Sequence, residues 1–316
     1  MNLKSFAQQL KTEKSVAIFC HMRPDGDTIG SAVALKLGLE SLNINASVFC
    51  SDEIPKRFFF LPEVSCIKTE FSGEFSAYLA IDNAEITRLG GFCEIFSAQK
   101  NTYSIDHHIS NRGFAKFNYL CDKSSNCENV IELLKELNVT IDKKIANFLL
   151  MGIVTDTGNF KHRNVTAETL RNASAMVECG ADLNAVVFNM FTAQSKGRAK
   201  LFGSVMSKIR YFMDEKIAIC SVFKTDLENC NTKADETEGF IDFVMGIDTV
   251  EVGACVMETD KNKYKISLRS KKADVNAVAG TFGGGGHVLA SGCQIFGEYE
   301  EVIDRLVFAI SRYVEE

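Results

Sequence analysis

Short apolar runs rich in β-branched and aromatic residues alternate with helix-like segments in the first half of the chain. Runs that are apolar on both faces and separated by helices predict a parallel sheet covered on both sides. The predicted strands are 16–20 (VAIFC), 46–50 (ASVFC), 77–82 (AYLAID) and 102–106 (TYSID). The clearest predicted helices are 31–43 (SAVALKLGLESLN) and 126–138 (NCENVIELLKELN).

The second half follows a different pattern, which predicts a smaller α/β domain with a mixed sheet. Its successive segments are 216–223 (KIAICSVF), 236–247 (ETEGFIDFVMGI), 250–258 (VEVGACVME) and the predicted strand 263–270 (KYKISLRS), followed by a glycine tract and a predicted final helix at 304–316. Between the halves, a segment with helical character and no proline predicts a helical linker. The predicted division is a domain at 1–186, the linker at 187–209 and a domain at 210–316.

Composition narrows the function classes. The chain has 316 residues, of which 46% are hydrophobic and 24% charged, as is typical of globular proteins. Its net charge of −6 argues against a basic face for long duplex nucleic acid but leaves a small anionic substrate open. The amphipathic start and the absence of an apolar stretch near the ~20 residues of a membrane span predict a cytoplasmic protein without a membrane partner. The eleven scattered cysteines, with no CxxC pair, indicate reduced core residues.

The stretch HMRPDGDTIGSA places His21, Asp25 and Asp27 directly after the first predicted strand and before a helix. This position is the carboxyl edge of a parallel sheet, where open α/β sheets bind ligands. A proline and a glycine tighten the turn, so the three side chains can converge. An equally good interpretation of this segment alone is that one of the aspartates caps the helix beginning near Thr28.

Three other segments favour a metal site over simple caps. Asp82 ends one predicted strand in AIDNAE, residues 106–108 end another in SIDHHISN, and Asp156 follows a buried helix in GIVTDTGNF. Three of the five histidines lie in these segments and in the first, each near an aspartate. Mixed imidazole and carboxylate ligands fit a divalent first-row metal, with Mn²⁺ favoured. So many carboxylates around one point would repel each other without cations, which indicates two metals.

The glycine tract GGGGH follows a helix-like segment in the second half and predicts a phosphate site. Backbone amides without side chains can approach an anion closely, although a flexible tether is the alternative. Arg269 in KYKISLRS is suited to a bidentate phosphate contact, but a single arginine is more often a solvated surface charge. Lys161 and His162 are interpreted as surface residues. The candidate substrate-binding residues are Arg269, Gly283, Gly284, Gly285, Gly286 and His287.

These motifs resemble a known family. HMRPDGDTIGS, AIDNAE, DHH and TDTGNF are similar to the motifs of the DHH phosphoesterase superfamily, and SLRS with GGGGHVLASG resembles its DHH-associated C-terminal domain. Within the superfamily, the chain is most similar to the group of bifunctional oligoribonucleases and pAp phosphatases. That group implies hydrolysis of short RNA and linear dinucleotides (pApA, pGpG) to 5′-mononucleotides, and of 3′-phosphoadenosine 5′-phosphate (pAp) to AMP and phosphate. One departure is Asn126 in SSNCEN, where similar proteins usually have threonine.

The resemblance also implies roles for individual residues. It assigns two Mn²⁺ ions per active site, with Mg²⁺ or Co²⁺ as alternatives, and water as the nucleophile. Asp82 bridges the two metals, His108 is the catalytic histidine that faces the substrate, and Asp106 orients its neighbours. Arg269, His287 and the glycines grip the terminal phosphate. The implied metal ligands are His21, Asp25, Asp27, Asp82, His107 and Asp156.

Several alternatives stay open at this stage. A manganese pyrophosphatase shares the first-domain motifs but is less similar in the second domain, and a cyclic di-AMP phosphodiesterase of the superfamily is a nearer alternative. A RecJ-type single-strand exonuclease shares both halves but needs a positive channel, which the acidic balance disfavours. A nucleotide-binding regulator without activity is the non-enzyme alternative. A homodimer fits the sequence, but neither oligomeric state nor substrate preference follows from it.

Overall fold

A computed structural model describes residues 1–314 and divides the chain into two compact units, Met1–Ala193 and Gln194–Glu316. The division lies inside the segment 187–209 predicted as a linker. A π-helical turn, Phe188–Thr192, ends the first unit, and the first helix of the second unit begins at Lys196. No helix within residues 1–314 combines the length and apolar character needed to span a membrane.

The first unit contains a sheet of six strands, all parallel, which confirms the predicted fold class for this half. The strand order is β3-β2-β1-β4-β5-β6. The four strands predicted from the sequence are β1, β2, β4 and β5, while the short β3 and β6 at the sheet edges were not predicted. The strands are β1 (Ser15–Phe19), β2 (Asn45–Phe49), β3 (Ile67–Lys68), β4 (Ala77–Ile81), β5 (Thr102–Asp106) and β6 (Phe117–Leu120).

Both faces of this sheet are covered, as the apolar character of the strands predicts. One face packs on helices α2, α4 and α5, and the other packs on an aromatic cluster around Phe19. Helix α2 begins at Gly26, close to the start predicted near Thr28, so Asp27 lies in its first turn. The helices are α1 (Leu3–Lys11), α2 (Gly26–Ser41), α3 (Cys93–Ser97), α4 (Asn126–Glu136), α5 (Lys143–Asp156), α6 (Ala167–Glu178) and α7 (Leu183–Val187).

Helices α2 and α5 approach each other closely because glycines face the contact. A Cβ atom on Gly30 would lie 2.4 Å from the carbonyl oxygen of Phe148. A Cβ on Gly152 would lie 2.2 Å from the Sγ of Cys127 and 2.7 Å from Oδ1 of Asp27. The first turn of α2 is therefore held against α5 at a distance that only glycine permits.

The second unit contains a mixed six-stranded sheet, which confirms the smaller mixed-sheet domain predicted from the sequence. The strand order is β11-β12-β10-β9-β8-β7, and the pair β8–β9 is parallel while the other pairs are antiparallel. The strands are β7 (Arg210–Phe212), β8 (Ile217–Val222), β9 (Val252–Asp260), β10 (Lys263–Ser270), β11 (Gly285–His287) and β12 (Ala290–Phe296).

The helices of the second unit lie on both sides of this sheet. Helices α11 and α12 pack on one face, and α8 and α10 pack on the other. The last helix was predicted at 304–316; it begins five residues earlier, at Tyr299, and ends at Ser311, and residues 315–316 lie outside the described residues. The helices are α8 (Lys196–Met206), α9 (Lys224–Cys230), α10 (Phe240–Met245), α11 (Val275–Gly280) and α12 (Tyr299–Ser311).

Candidate metal centre

The candidate metal centre of the first unit lies where neighbouring strands end. His21 follows β1, Asp82 directly follows β4, and Asp106 is the last residue of β5, with His107 and His108 next in the chain. Strand β4 pairs with both β1 and β5, so these three carboxyl ends are adjacent. The β1–β4 pair is also the point where the strand order reverses direction, which is the usual ligand position in such sheets.

Two helices bring the remaining aspartates to the same place. Asp27 lies in the first turn of α2 and Asp156 is the last residue of α5. Donor atoms within 4.8 Å of one another form three groups: His21, Asp25 and Asp82; Asp27, His107 and Asp156; and Asp82, His107 and His108. All six residues predicted as metal ligands are thus brought together, and His108 joins them.

Asp82 belongs to two of these groups and lies between two histidines. Its Oδ2 is 3.5 Å from Nε2 of His21, and its Oδ1 is 3.4 Å from Nε2 of His107. The Oδ1 atom is buried and has no hydrogen-bond partner among residues 1–314, which is costly for a carboxylate unless a cation compensates. Its backbone is left-handed, with φ of 57°, an arrangement that concentrates at functional sites. Asp82 therefore fits a position between cations.

Asp25 both caps helix α2 and faces the cluster. Its Oδ1 accepts hydrogen bonds from the backbone N–H groups of Asp27, at 3.1 Å, and Thr28, at 3.0 Å. Its Oδ2 lies 3.5 Å from Nε2 of His21. The cap interpretation and the ligand interpretation are compatible, because each uses a different oxygen.

The Asp27 carboxylate is held by backbone N–H groups at the start of helix α4. These groups belong to the SSNCEN segment, which gives that segment a role in the site. Its Oδ2 accepts the backbone N–H of Asn126 at 2.5 Å, and its Oδ1 accepts that of Cys127 at 2.9 Å. Such amides at a helix N-terminus are well placed to hold a carboxylate. Because the donors are backbone groups, asparagine at position 126 in place of threonine leaves this contact available. The Asn126 side chain donates separately to Ser31 Oγ, at 3.2 Å.

Two histidines present Nε2 to the cluster. Nδ1 of His21 lies 2.9 Å from the carbonyl oxygen of Met22, and Nδ1 of His107 lies 3.1 Å from that of Lys123. In the neutral form of both rings we assign the proton to Nδ1, because a carbonyl oxygen faces each of these atoms, at 2.9 Å for His21, where it is closer than the Arg88 Nη2 at 3.3 Å, and at 3.1 Å for His107. This tautomer leaves Nε2 with its lone pair directed to the carboxylates, as metal ligation requires.

His108 is held differently. Its Nδ1 lies 2.7 Å from Oδ1 of Asp106, whose Oδ2 accepts a hydrogen bond from Asn111 at 2.8 Å. Asp106 is fully buried, whereas the side chain of His108 is 32% exposed. His108 is therefore the most accessible of the three histidines in the site.

The electrostatics of the cluster favour bound cations. Burial, with the charge of Asp82 adding to it, raises the pKa of Asp156 to about 6. Burial and the same neighbour raise the pKa of Asp27 well above its usual value. Burial lowers the pKa of His107, but the charges of Asp27, Asp82 and Asp156 outweigh it and raise that pKa to about 9. The raised pKa values of Asp27 and Asp156 show that the charged forms of these carboxylates lack full compensation within the protein, and the donor set fits a divalent metal.

Arg88 and Asn111 also belong to the site, although no sequence motif predicted a role for them. Nη2 of Arg88 lies 3.3 Å from Nδ1 of His21, and Asn111 donates to Asp106. Their positions in the sequence could have indicated a role in the site: Arg88 lies six residues after Asp82, and Asn111 is the last residue of the SIDHHISN segment. Lys161 and His162 are exposed, in agreement with the surface interpretation.

The predicted phosphate-binding residues lie in the second unit, and two of them share a sheet face. Arg269 on β10 pairs with Ala290 on β12, which in turn pairs with His287 on β11. Residues paired directly across antiparallel strands point to the same face, and two strand spacings amount to roughly 10 Å. Arg269 and His287 therefore flank Ala290 on one face of the sheet.

The glycine tract differs from the amide cradle expected from the sequence. Three of its N–H groups are already donated within the unit: Gly283 to the carbonyl of Gly280, Gly284 to that of Ala279, and Gly286 to Oδ1 of Asn276. A Cβ on Gly284 would lie 2.3 Å from the carbonyl oxygen of Gly292. Gly284 and Gly286 are glycine because the segment packs closely on β12, and Gly283 has a left-handed φ of 72°, so the tract presents a surface without side chains beside His287.

Family models match both units. The N-terminal domain of the DHH family matches residues 15–153, and the DHHA1 domain matches residues 214–316. This chain belongs to the DHH family. The resemblance inferred from the motifs is therefore confirmed.

Individual relatives of this DHH-family chain match nearly its whole length. A Thermus thermophilus protein named "Bifunctional oligoribonuclease and PAP phosphatase NrnA" is 28% identical over 98% of this chain and 93% of its own length. A Bacillus velezensis protein named "Probable manganese-dependent inorganic pyrophosphatase" is 27% identical over 83% of this chain and 89% of its own. The crystal structure of an exopolyphosphatase-related protein from Bacteroides fragilis has a TM-score of 0.87 at 26% identity, covering 98% of this chain and 96% of that one.

Proposed function

We propose that this chain is a metal-dependent phosphoesterase of short nucleotides. It hydrolyses short oligoribonucleotides and linear dinucleotides such as pApA and pGpG to 5′-mononucleotides, and pAp to AMP and phosphate. The observation that carries the proposal is the pair of histidine–carboxylate groups that meet at Asp82. The name of the Thermus thermophilus relative supports the choice of substrates.

The proposal includes two Mn²⁺ ions. His21, Asp25 and Asp82 would hold one, and Asp27, Asp82, His107 and Asp156 would hold the other. The mixture of carboxylates with imidazoles favours Mn²⁺ over Mg²⁺, and Co²⁺ is an alternative for the same reason. Two such cations supply charge neutralisation on the phosphoryl oxygens and lower the pKa of water.

The protein's own contribution centres on His108. Asp106 accepts from its Nδ1, so the opposite nitrogen, Nε2, is the atom that can donate a proton to a phosphoryl oxygen or to the leaving O3′. Asp106 acts through His108 as a positioning residue. Arg269 and His287 bind the terminal phosphate of the substrate, for which a guanidinium fork is well suited.

A single set of incubations tests this function. Protein loaded with Mn²⁺ is incubated with pAp, pApA, a five-residue RNA, cyclic di-AMP and pyrophosphate, and the products are separated by chromatography. We expect AMP and phosphate from pAp and mononucleotides from pApA and RNA. Protein stripped with EDTA is the control. Turnover of pyrophosphate or cyclic di-AMP without turnover of pAp, pApA or RNA would overturn the proposal.

Homodimer formation and a cytoplasmic location stay predictions. Size-exclusion chromatography with light scattering measures the first, and a mass of twice 35.0 kDa is the expected result.

A further inference from the structure

The residue after His108 exposes an aliphatic side chain beside the metal centre. Ile109 is 81% exposed, the highest value among the large hydrophobic residues within 1–314. None of the buried hydrophobic clusters that these residues form includes it. A single apolar side chain on a surface is common and by itself indicates no site. What distinguishes Ile109 is its fixed position next to His108.

The turn that carries Ile109 is held at both ends. At its start, Nδ1 of His108 lies 2.7 Å from Oδ1 of Asp106. At its end, the backbone N–H of Asn111 donates to the carbonyl oxygen of His108 at 3.1 Å. The buried side chain of Asn111 donates to Oδ2 of Asp106 at 2.8 Å and to the carbonyl oxygen of Asn83 at 2.9 Å. The two ends of the turn are therefore tied to the same carboxylate, and Ile109 lies between them.

The proposed role of His108 determines which part of the substrate lies beside Ile109. In the proposed reaction, Nε2 of His108 donates a proton to the leaving O3′, so the ribose that carries this oxygen lies next to the imidazole. Consecutive Cα atoms are about 3.8 Å apart, which places Ile109 within reach of the same nucleoside. A ribose and a base both offer apolar surface to an aliphatic side chain, whereas an inorganic phosphate chain offers none.

We infer that Ile109 is a specificity-determining residue that packs against the nucleoside whose O3′ leaves. The inference rests on the proposed function and extends it, because it names a residue of the first unit that distinguishes a nucleotide from an inorganic phosphate chain. Contact between the nucleoside and Ile109 removes apolar surface from water on both partners, and this gain is absent when the substrate has no base. The contact is separate from the second-unit residues proposed to bind the terminal phosphate.

An aliphatic contact also determines the kind of selectivity that Ile109 can supply. The hydrophobic effect is non-directional, so the isoleucine side chain does not distinguish the polar edges of one base from those of another. AMP and GMP should therefore bind with similar affinity. Removal of the base should weaken binding more than exchange of one purine for the other.

Matched compounds with and without a base test the inference. AMP, GMP and ribose 5-phosphate are titrated into Mn²⁺-loaded protein by calorimetry, and phosphate release from pAp and from ribose 3,5-bisphosphate is measured. In wild type, both comparisons should favour the nucleotide. Ile109→Ser should reduce this preference roughly five- to tenfold, as expected for uncovering about half of an isoleucine side chain, and should leave the compounds without a base unaffected. Ile109→Leu should keep the wild-type preference.

Leu170→Ser is the matched control for the loss of an exposed aliphatic side chain. Leu170 is 52% exposed and lies on α6, a helix that contributes no residue to the donor groups. This variant should bind and hydrolyse every compound like the wild type. Elemental analysis should find the wild-type manganese content in all three variants, and circular dichroism melting confirms that each of them folds.

Two results would overturn the inference. One is an Ile109→Ser protein that keeps the full preference for nucleotides or loses affinity equally with and without the base. The other is an Ile109→Ser protein whose oligomeric mass changes while its preference is intact, which would place Ile109 between two copies of the chain. If wild type hydrolyses pAp in either case, the proposed function survives. If wild type hydrolyses none of the nucleotides, the proposed function itself fails, and the affinities for AMP and ribose 5-phosphate still test the contact.

Discussion

His108 is joined to Asp106 by a contact of 2.7 Å between Nδ1 and Oδ1, the shortest of those between histidine and carboxylate in the metal centre. Burial raises the pKa of Asp106, but hydrogen bonds from His108 and Asn111 outweigh it and lower that pKa below its usual value. The same hydrogen bond raises the pKa of His108. Asp106 thus stays ionised and favours a protonated imidazole, the state that a general acid needs.

The first prediction concerns His108 itself. In His108→Ala, kcat for pApA should fall by roughly 10²–10⁴, the usual contribution of general acid–base catalysis, while bound manganese stays at the wild-type level. Elemental analysis of the purified variant and steady-state kinetics measure both quantities. Loss of metal in this variant would mean that His107 and His108 have exchanged roles.

Asp106 should act only through His108. We expect Asp106→Asn to reduce kcat, by about 10- to 100-fold as for other residues that orient a catalytic group. The double variant with His108→Ala should be no slower than His108→Ala alone, because the partner of Asp106 is then missing. This double-mutant cycle measures the coupling directly. Additive losses would show an independent role for Asp106, such as holding Asn111.

Asp82→Asn tests the shared position in the metal centre. Asparagine tolerates the left-handed backbone of residue 82, so the variant should fold. It should lose both metals and turnover, because Asp82 belongs to two of the three donor groups. In wild type, each Mn²⁺ site at about 100 times its Kd should stabilise the fold by about 2.7 kcal/mol, and this gain should vanish in the variant. Calorimetry with and without Mn²⁺ measures this gain in stability. An Asp82→Asn protein that retains more than a few per cent of wild-type activity would contradict the shared role of Asp82.

The candidate ligands of the metal centre could be predicted from the sequence, whereas the groups that hold those ligands in place could not. His21, Asp82 and His107 could be found because they follow β-rich apolar runs, and the ends of parallel strands meet at one edge. The amides of Asn126 and Cys127 that hold Asp27 lie about a hundred residues away and are backbone groups. No side-chain pattern in the sequence marks them.

The short strands escaped prediction for a physical reason. Strands β3 and β6 lie at the edges of the first sheet, are only partly buried and lack a continuous apolar run. Strand β11 is composed largely of glycine, which favours turns, and only its close pairing with β12 makes it extended. Pairing with strands distant in sequence determines whether such segments are extended. Local composition does not reveal that pairing.

The fourth prediction tests whether phosphate binding belongs to the second unit and metal binding to the first. Arg269→Ala and His287→Ala should leave manganese content unchanged, because neither residue belongs to the donor groups of the first unit. Each charged phosphate contact is worth about 1.5–3 kcal/mol, so kcat/KM for pApA should fall roughly ten- to 150-fold. The loss on bis(p-nitrophenyl) phosphate, which lacks a terminal phosphate, should be much smaller. Equal losses on the two substrates would argue against a phosphate-binding role.

The last prediction concerns the contact between α5 and the Asp27 carboxylate. Gly152→Ala places a methyl group where Cys127 Sγ would be 2.2 Å away and Asp27 Oδ1 2.7 Å away, so these atoms must move. Overpacking of this kind costs about 1–3 kcal/mol of unfolding free energy, and displacing Asp27 should also weaken Mn²⁺ binding. Gly203→Ala is the matched control, since Gly203 lies inside helix α8 with nothing within 4 Å of the added atom. There alanine should stabilise by about 0.5–1 kcal/mol, because glycine is a poor helix former. Urea unfolding and Mn²⁺ titration of both variants measure the two effects, and a Gly152→Ala protein with wild-type stability and wild-type Mn²⁺ affinity would show that the helices separate without disturbing the site.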